Sequence, residues 1–326
     1  MRRLDPVSYL RIHPSAHQSN YLVEGLLRVK VVIYLAKSCQ NSGGRITGVW
    51  GQENLNTEIK GIIFDIDGCL IYGDRAIPGA VEQIANLRRR GFRMCFFTNG
   101  NMDPTERWAE MLTRLGFEVR GSEVLTSLMV AADYVAERFP KSRVLPVGSQ
   151  TMRSVLVARG IEVVDWADAA DAQVVLMGRD PDFSQRKLEM VCSAIWRGAR
   201  FIVTNLDRSL PFGDGFIPET GPMVKAVEWA TRCRPLVVGK PSPVAGRAAL
   251  RLLTLPAENA LVVGDNVQQD VRMGKTLGMK TALVLTGCTP AADVPNLPPQ
   301  LKPDVVLSDV THLARWLDTR CGEVTE

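Results

Sequence analysis

From residue 59 onward, short apolar runs alternate with longer stretches whose apolar residues recur at helical spacing, and this rhythm constrains the fold more than any other feature. Strands that alternate with helices are joined by crossovers, so they lie mostly parallel with helices covering both sheet faces, an α/β fold. The first run, Ile62-Ile63-Phe64, is apolar without interruption, as expected of a strand buried on both sides. It stops on Asp65 and Asp67, and Gly68 lets the chain turn away. Open α/β sheets bind ligands beyond the carboxyl ends of their strands, where two carboxylates become candidates for chemistry. An isolated pair of this kind is more often a polar turn. What decides is whether other strands bring complementary groups to the same edge.

The rhythm continues with a helix opened by Pro78-Gly79, carrying Val81, Ile84 and Leu87 on one face. A strand over 93–97 then ends in Thr98-Asn99-Gly100. At Arg143 the pattern restarts and runs through three strands and two helices to Thr204, which predicts a smaller α/β unit inserted into the larger one. The expected organisation is an N-terminal extension over 1–58, poorly ordered and upstream of the true start; a core over 59–142; the insert over 143–207; and the core again over 208–326. In the returning part, a third core strand over 236–238 leads into Gly239-Lys240-Pro241. A fourth, over 260–263, leads into Gly264-Asp265-Asn266, with Asp270 close behind. Trp108, Trp196, Trp229 and Trp316 fall on helical apolar stripes and are expected in the core.

Composition removes several classes of function. The 39 basic and 35 acidic residues are spread along the chain, and the densest basic run, Arg88-Arg89-Arg90, sits at a helix end where cations suit the dipole. No nucleic-acid surface is implied. The apolar patches over 21–37 are broken by Glu24, Arg28 and Lys30, so they cannot span a bilayer, and no membrane partner is expected. Seven scattered cysteines without a C-x-x-C pair indicate reduced thiols in a cytoplasmic setting. The only histidines are His13, His17 and His312, so acid–base chemistry in the body of the chain falls to carboxylates, lysine or tyrosine.

Four strand ends on one edge, carrying Asp65 and Asp67, Thr98, Lys240, and Asp265, suit phosphoryl transfer. Asp65 can attack phosphorus, dividing one hard displacement into two. Lys240 and a hard divalent cation held by Asp65 and Asp265 would offset the negative charge of a phosphate ester, and Mg²⁺ suits such oxygen donors. The Thr98 hydroxyl and the N–H groups of Asn99 and Gly100 can bind phosphoryl oxygens. Asp67 is placed to protonate the leaving alcohol and then deprotonate water.

The motifs Asp65-x-Asp67-Gly-Cys-Leu, Thr98-Asn99, Lys240-Pro241 and Gly264-Asp265-Asn266-x-x-x-Asp270 resemble, in order, those of the haloacid dehalogenase superfamily phosphatases. The large insert and the phrases Val238-Gly239-Lys240-Pro241-Ser242-Pro243 and Leu283-Val284-Leu285-Thr286-Gly287 are similar to the NagD-like branch. The resemblance covers about 59–320. It implies a Rossmann-like core with a mobile α/β cap, acting on a small phosphorylated metabolite such as a nucleotide or sugar phosphate through an aspartyl-phosphate on Asp65. It also implies Mg²⁺ at the Asp65 carboxylate, the Asp67 backbone carbonyl and Asp265, with Asn266 and Asp270 in support, and a homodimer. Three positions depart from the family pattern: Cys69 for threonine, Gly100 for asparagine and Gln269 for threonine. None is expected to touch a group the chemistry needs, although Gly100 borders the substrate.

Two rivals share parts of the pattern. A phospho-accepting receiver module would use the aspartate, threonine and lysine but has no use for Asp67 or the insert. A metal-independent haloacid dehalogenase would use the nucleophile but not Asp67 or Asp265. Asp74 reads as a hairpin turn, Thr204-Asn205 as the end of the insert bordering the pocket, and Cys69 as a small packing residue. In the insert, Arg179, Asp180 and Asp182 are either selectors of the leaving group or a solvated loop.

Overall fold

The computed structural model describes residues 58–212 and 215–321, so the expected N-terminal extension lies, but for Glu58, outside the described residues. Among the described residues, no helix is long and apolar enough to cross a membrane. The chain opens with β1 (Gly61–Asp65), a hairpin of β2 (Ile71–Tyr72) and β3 (Arg75–Ala76), then α1 (Ala80–Arg89), β4 (Arg93–Thr98), α2 (Thr105–Arg114), β5 (Val124–Thr126) and α3 (Ser127–Arg138). The insert follows with β6 (Arg143–Val147), α4 (Gln150–Ala158), β7 (Glu162–Val163), β8 (Val174–Met177), α5 (Gln185–Trp196) and β9 (Arg200–Val203). Next come the hairpin β10 (Ser209–Phe212) and β11 (Gly215–Pro218), α6 (Thr220–Thr231) and β12 (Leu236–Val237). The chain returns through α7 (Pro243–Leu253), β13 (Ala260–Gly264), α8 (Arg272–Leu277), β14 (Lys280–Val284), β15 (Val305–Leu307) and α9 (Leu313–Cys321).

Two parallel sheets result. The first has the order β15-β14-β13-β1-β4-β5, the second β12-β9-β8-β6-β7. Side chains alternate across each strand, so both faces of the first sheet need cover. Ile62, Phe64, Met94, Phe96, Leu261 and Val263 point to one face, where the apolar stripes of α1, α2 and α9 cover them. Ile63, Cys95, Phe97 and Val262 point to the other, beneath α3 and α7. Each such buried aliphatic or aromatic side chain contributes about 1.5–3 kcal/mol relative to exposure. Val144, Val174, Leu176 and Ile202 of the second sheet join the cluster under α3, while its opposite face packs on α5 and α6.

Two expectations are corrected here. The strand before Lys240 is not a core strand: β12 pairs in parallel with β9 in the second sheet. Val224 and Val227 of α6 are buried in that unit's cluster as well, so the insert's fabric extends to Val237 and does not stop at 207. The cause is that β9-α6-β12 has the same βαβ rhythm as the core, and periodicity does not state which sheet a strand joins. The tryptophans also divide. Trp108 and Trp316 pack partly buried against the first cluster, but Trp196 and Trp229 are 65% and 89% exposed. An amphipathic helix needs only a stripe buried, and these two indoles lie outside it.

Candidate active site

The three central strands β13, β1 and β4 are neighbours, and the strand order turns in opposite directions on either side of β1, leaving a crevice at their carboxyl ends. β1 ends in Asp65, β4 in Thr98, and Asp265 follows the last residue of β13. Lys240 arrives from the segment after β12 and is 2% exposed. Its Nζ donates to Asp65 Oδ1 at 2.6 Å and to Asp270 Oδ1 at 2.8 Å. Burial disfavours an ammonium, but Asp270 and Asp65 outweigh that effect and push the Lys240 pKa up. The lysine is a fixed cation.

Carboxylate oxygens of Asp65, Asp265 and Asp270 lie within 4.8 Å of one another. Burial, then the charge of Asp65 and of Asp270, push the Asp265 carboxyl up. Burial also raises Asp270, against the pull of Lys240. Asp65, Asp67, Asp265 and Asp270 thus set four carboxyl groups against one ammonium, a deficit of positive charge that a divalent cation would offset. The donor set fits such an ion, because every ligand on offer is a hard carboxylate oxygen. The Asp265 carboxylate itself needs glycine beside it: a Cβ on Gly287 would lie 1.9 Å from Asp265 Oδ2. Asp270 is already engaged, its Oδ2 accepting the Asn266 N–H at 3.2 Å.

Asp67 faces open solvent at the rim. The protein crowding that rim, and secondly the Asp65 carboxylate, push its carboxyl up to about 6 against the opposing pull of Lys240. A group titrating there can both give and take a proton near neutrality. The β2–β3 hairpin beside it carries Asp74 at its exposed turn, and Cys69 is wholly buried, its thiol pushed up by burial and by nearby carboxylates. The hairpin and the packing cysteine match expectation.

The loop after β4 is held more tightly than its sequence suggests. Thr98 Oγ1 accepts the Gly100 N–H at 2.9 Å. The Asn99 side chain is a clamp on Lys240: its Oδ1 accepts the Lys240 N–H at 2.9 Å and its Nδ2 donates to the Lys240 carbonyl at 3.2 Å. A Cβ on Gly100 would fall 2.6 Å from the Trp108 ring, which explains why glycine stands there. Asn99 Nδ2 also donates to Gln269 Oε1 at 3.1 Å, and Gln269 Nε2 to Asp207 Oδ1 at 2.5 Å. Gln269 meets no expected reacting group, yet it is part of the packing around the Asn99 clamp. Its side chain crosses from the segment after β13 to bind Asn99, a contact no sequence motif encodes.

Sequence reasoning missed several members of this network. Asn205, noted only as bordering the pocket, donates from Nδ2 to the Asn99 carbonyl at 2.8 Å, beside Ser127 Oγ at 2.7 Å. Asn101 is 1% exposed; its Oδ1 accepts the Arg179 N–H at 2.7 Å, and its Nδ2 reaches Glu219 Oε1 at 3.5 Å and Thr220 Oγ1 at 3.3 Å. Burial, with Glu219 nearby, pushes Asp207 up to about 6, and burial raises Glu219. Asp207 shared the strand-end logic that singled out Asp65, since it follows β9 by a few residues. Glu219 and Asn101 carried no signal.

A crevice with an aspartate-ended central strand, a buried lysine and a carboxylate cluster is the arrangement of a phosphoryl-transfer hydrolase. Residues 62–162 match the family model described as haloacid dehalogenase-like hydrolase, and 237–313 the one described as HAD-hydrolase-like. The human glycerol-3-phosphate phosphatase is 34% identical over 270 residues, spanning 74% of this chain and 84% of its own. NagD from E. coli superposes with a TM-score of 0.72 at 29% identity, over 78% of this chain and 98% of its own. A Mycobacterium tuberculosis glycerol phosphate phosphatase, solved in complex with magnesium, superposes with a TM-score of 0.73 at 31% identity, over 79% and 77%. The chain belongs to the haloacid dehalogenase-like hydrolases and, within them, to the NagD-like phosphatases.

Proposed function

We propose that this phosphatase hydrolyses a small-molecule phosphate monoester through an aspartyl-phosphate on Asp65. An Asp65 oxygen forms the new bond to phosphorus as the ester P–O bond breaks, and Asp67 gives its proton to the departing alkoxide. Water then attacks phosphorus, Asp67 takes its proton, and Asp65 is regenerated with release of inorganic phosphate. Lys240, the Thr98 hydroxyl and the Asn99 N–H stabilise the phosphoryl oxygens, while the Gly100 N–H donates to Thr98 Oγ1 and so orients that hydroxyl. The Asp65 carboxylate, the Asp67 backbone carbonyl and Asp265 would hold Mg²⁺, which supplies positive charge toward those oxygens. Asp270, with Asn266, holds Lys240 and its own carboxylate in place. The observation that carries this reading is Lys240 Nζ bridging Asp65 and Asp270 beside Asp265.

The substrate class is a small phosphate ester such as a sugar, glycerol or nucleotide phosphate, supported by the relatives' activities. The test is phosphate release from p-nitrophenyl phosphate and a metabolite panel, with and without Mg²⁺. Stimulation by Mg²⁺ and loss in EDTA are expected; undiminished activity in EDTA would favour the dehalogenase, and a stable phosphoprotein releasing no phosphate would favour the receiver. A cytoplasmic setting is part of this reading, supported by five free thiols among the described residues. So is a homodimer, supported by the solvent-facing indoles of Trp196 and Trp229. Sedimentation as a monomer at micromolar concentration would remove it.

A further inference from the structure

The second sheet meets the phosphate-side loop at one strand tip. β8 ends in Met177, and Gly178-Arg179 follow it directly onto Asn101, three residues beyond Thr98. The Arg179 N–H donates to Asn101 Oδ1 at 2.7 Å, and a Cβ on Gly178 would lie 2.8 Å from the same oxygen. Asn101 belongs to the same loop as Thr98 and Asn99, so this contact ties the insert to the edge that carries Asp65, Thr98 and Lys240. Arg179 stands at that seam.

Its neighbours are already engaged. Asp180 is 4% exposed and accepts Lys187 Nζ at 2.7 Å and the Asp182 N–H at 3.0 Å, while Asp182 itself is exposed. Of the three residues that sequence alone left as selectors or solvated loop, two thus belong to the loop's own closure. Glu219 is the carboxylate nearest in character to a partner for Arg179, but it accepts the Thr220 N–H and hydroxyl and the Asn101 amide. Arg179 as a residue is half-buried, and among the described residues its guanidinium has no ion pair and no side-chain hydrogen bond, although its charge reaches Glu219. The guanidinium's fork of five donors with no acceptor matches a carboxylate or phosphate.

We propose that Arg179 is a specificity-determining residue, its guanidinium taking an anionic group, carboxylate or second phosphate, on the leaving-group side of the substrate. This rests on the phosphatase reading above. The preferred substrate then carries two anionic groups, one hydrolysed at Asp65 and one held at the seam. Asn101 and Glu219 fix the backbone beneath it, so the fork is positioned before substrate arrives.

Two matched pairs test this: 3-phosphoglycerate against glycerol 3-phosphate, which differ by a carboxylate for a hydroxymethyl, and fructose 1,6-bisphosphate against fructose 6-phosphate. The wild type is expected to favour the anionic member of at least one pair by about tenfold or more in kcat/KM, as charge-assisted bidentate bonds allow. The pair that shows it tells carboxylate from phosphate. Arg179→Gln should collapse that ratio, and Arg179→Lys should keep part of it. A ratio within one preparation does not depend on the folded fraction, so a poorly folding variant still reports. Equal kcat/KM within both wild-type pairs, or a preference that survives Arg179→Gln, would overturn the proposal. Absence of phosphate release from all four esters and from p-nitrophenyl phosphate would instead sink the phosphatase mechanism itself.

Discussion

The two parallel sheets are built from the same rhythm and buried by the same rules, yet their carboxyl ends carry different equipment. The first ends in Asp65, Thr98 and Asp265, side chains with charge or a hydroxyl to spend on a reacting group. The second ends in residues turned toward the first: Arg179 onto Asn101, Asn205 onto the Asn99 carbonyl, and the segment after β12 delivering Lys240 into the carboxylate cluster. One sheet presents the chemistry. The other supplies the lysine and the hydrogen bonds that hold the loops, so the geometry of the site depends on both sheets.

That division of labour breaks most sharply at Asp65. Asp65→Asn should lower phosphate release about a thousandfold or more while the far-ultraviolet circular dichroism and thermal midpoint stay near wild type. A variant that kept parental turnover would move the nucleophile elsewhere. Asn99→Ala tests the seam, because it frees the Lys240 backbone and leaves buried partners unpaired. It should lower kcat about a hundredfold and stability by about 1–3 kcal/mol, read by progress curves and urea melts. A loss in KM alone would say that Asn99 meets substrate and not the lysine.

A third prediction concerns the first sheet away from the crevice. Asp304 accepts Lys275 Nζ at 2.7 Å and the Thr281 N–H and hydroxyl at 2.9 and 2.8 Å. Burial alone would raise its pKa, but these donors together outweigh it and hold the carboxyl below its ordinary value. A depressed folded pKa means the stabilisation is present above the unfolded value near 3.9 and is lost as pH falls through the folded value. Asp304→Asn should therefore cost about 1–2 kcal/mol at pH 7 and less at pH 2. Equal losses at both pH values would refute the charge argument. The smallest effect belongs to the second sheet's surface. Trp229→Ala should change stability by less than about 0.5 kcal/mol in a urea melt at low protein concentration, because the indole is 89% exposed.

Much of this was legible in the linear chain. Asp65, Thr98, Asp265 and Asp270 were legible because each ends or follows a strand, and strand ends in a parallel sheet share an edge whatever the loops do. The Asn99 clamp, Gln269, Asp207 and the Asn101–Glu219 contact were not, since each joins segments far apart in sequence through side chains without a local pattern. Trp196 and Trp229 misled because helical spacing marks a stripe but not its width.

Periodicity and strand-end chemistry, both local properties, were enough to determine the α/β class and the first sheet's buried strands, and to single out Asp65, Thr98 and Asp265 as candidates. The tertiary structure alone decided that β12 joins the second sheet, that Lys240 enters from there, and that Arg179 stands at the seam with no ion pair among the described residues. The reason is physical: which sheet accepts a strand depends on the faces left uncovered by everything else, and no window of sequence contains that sum.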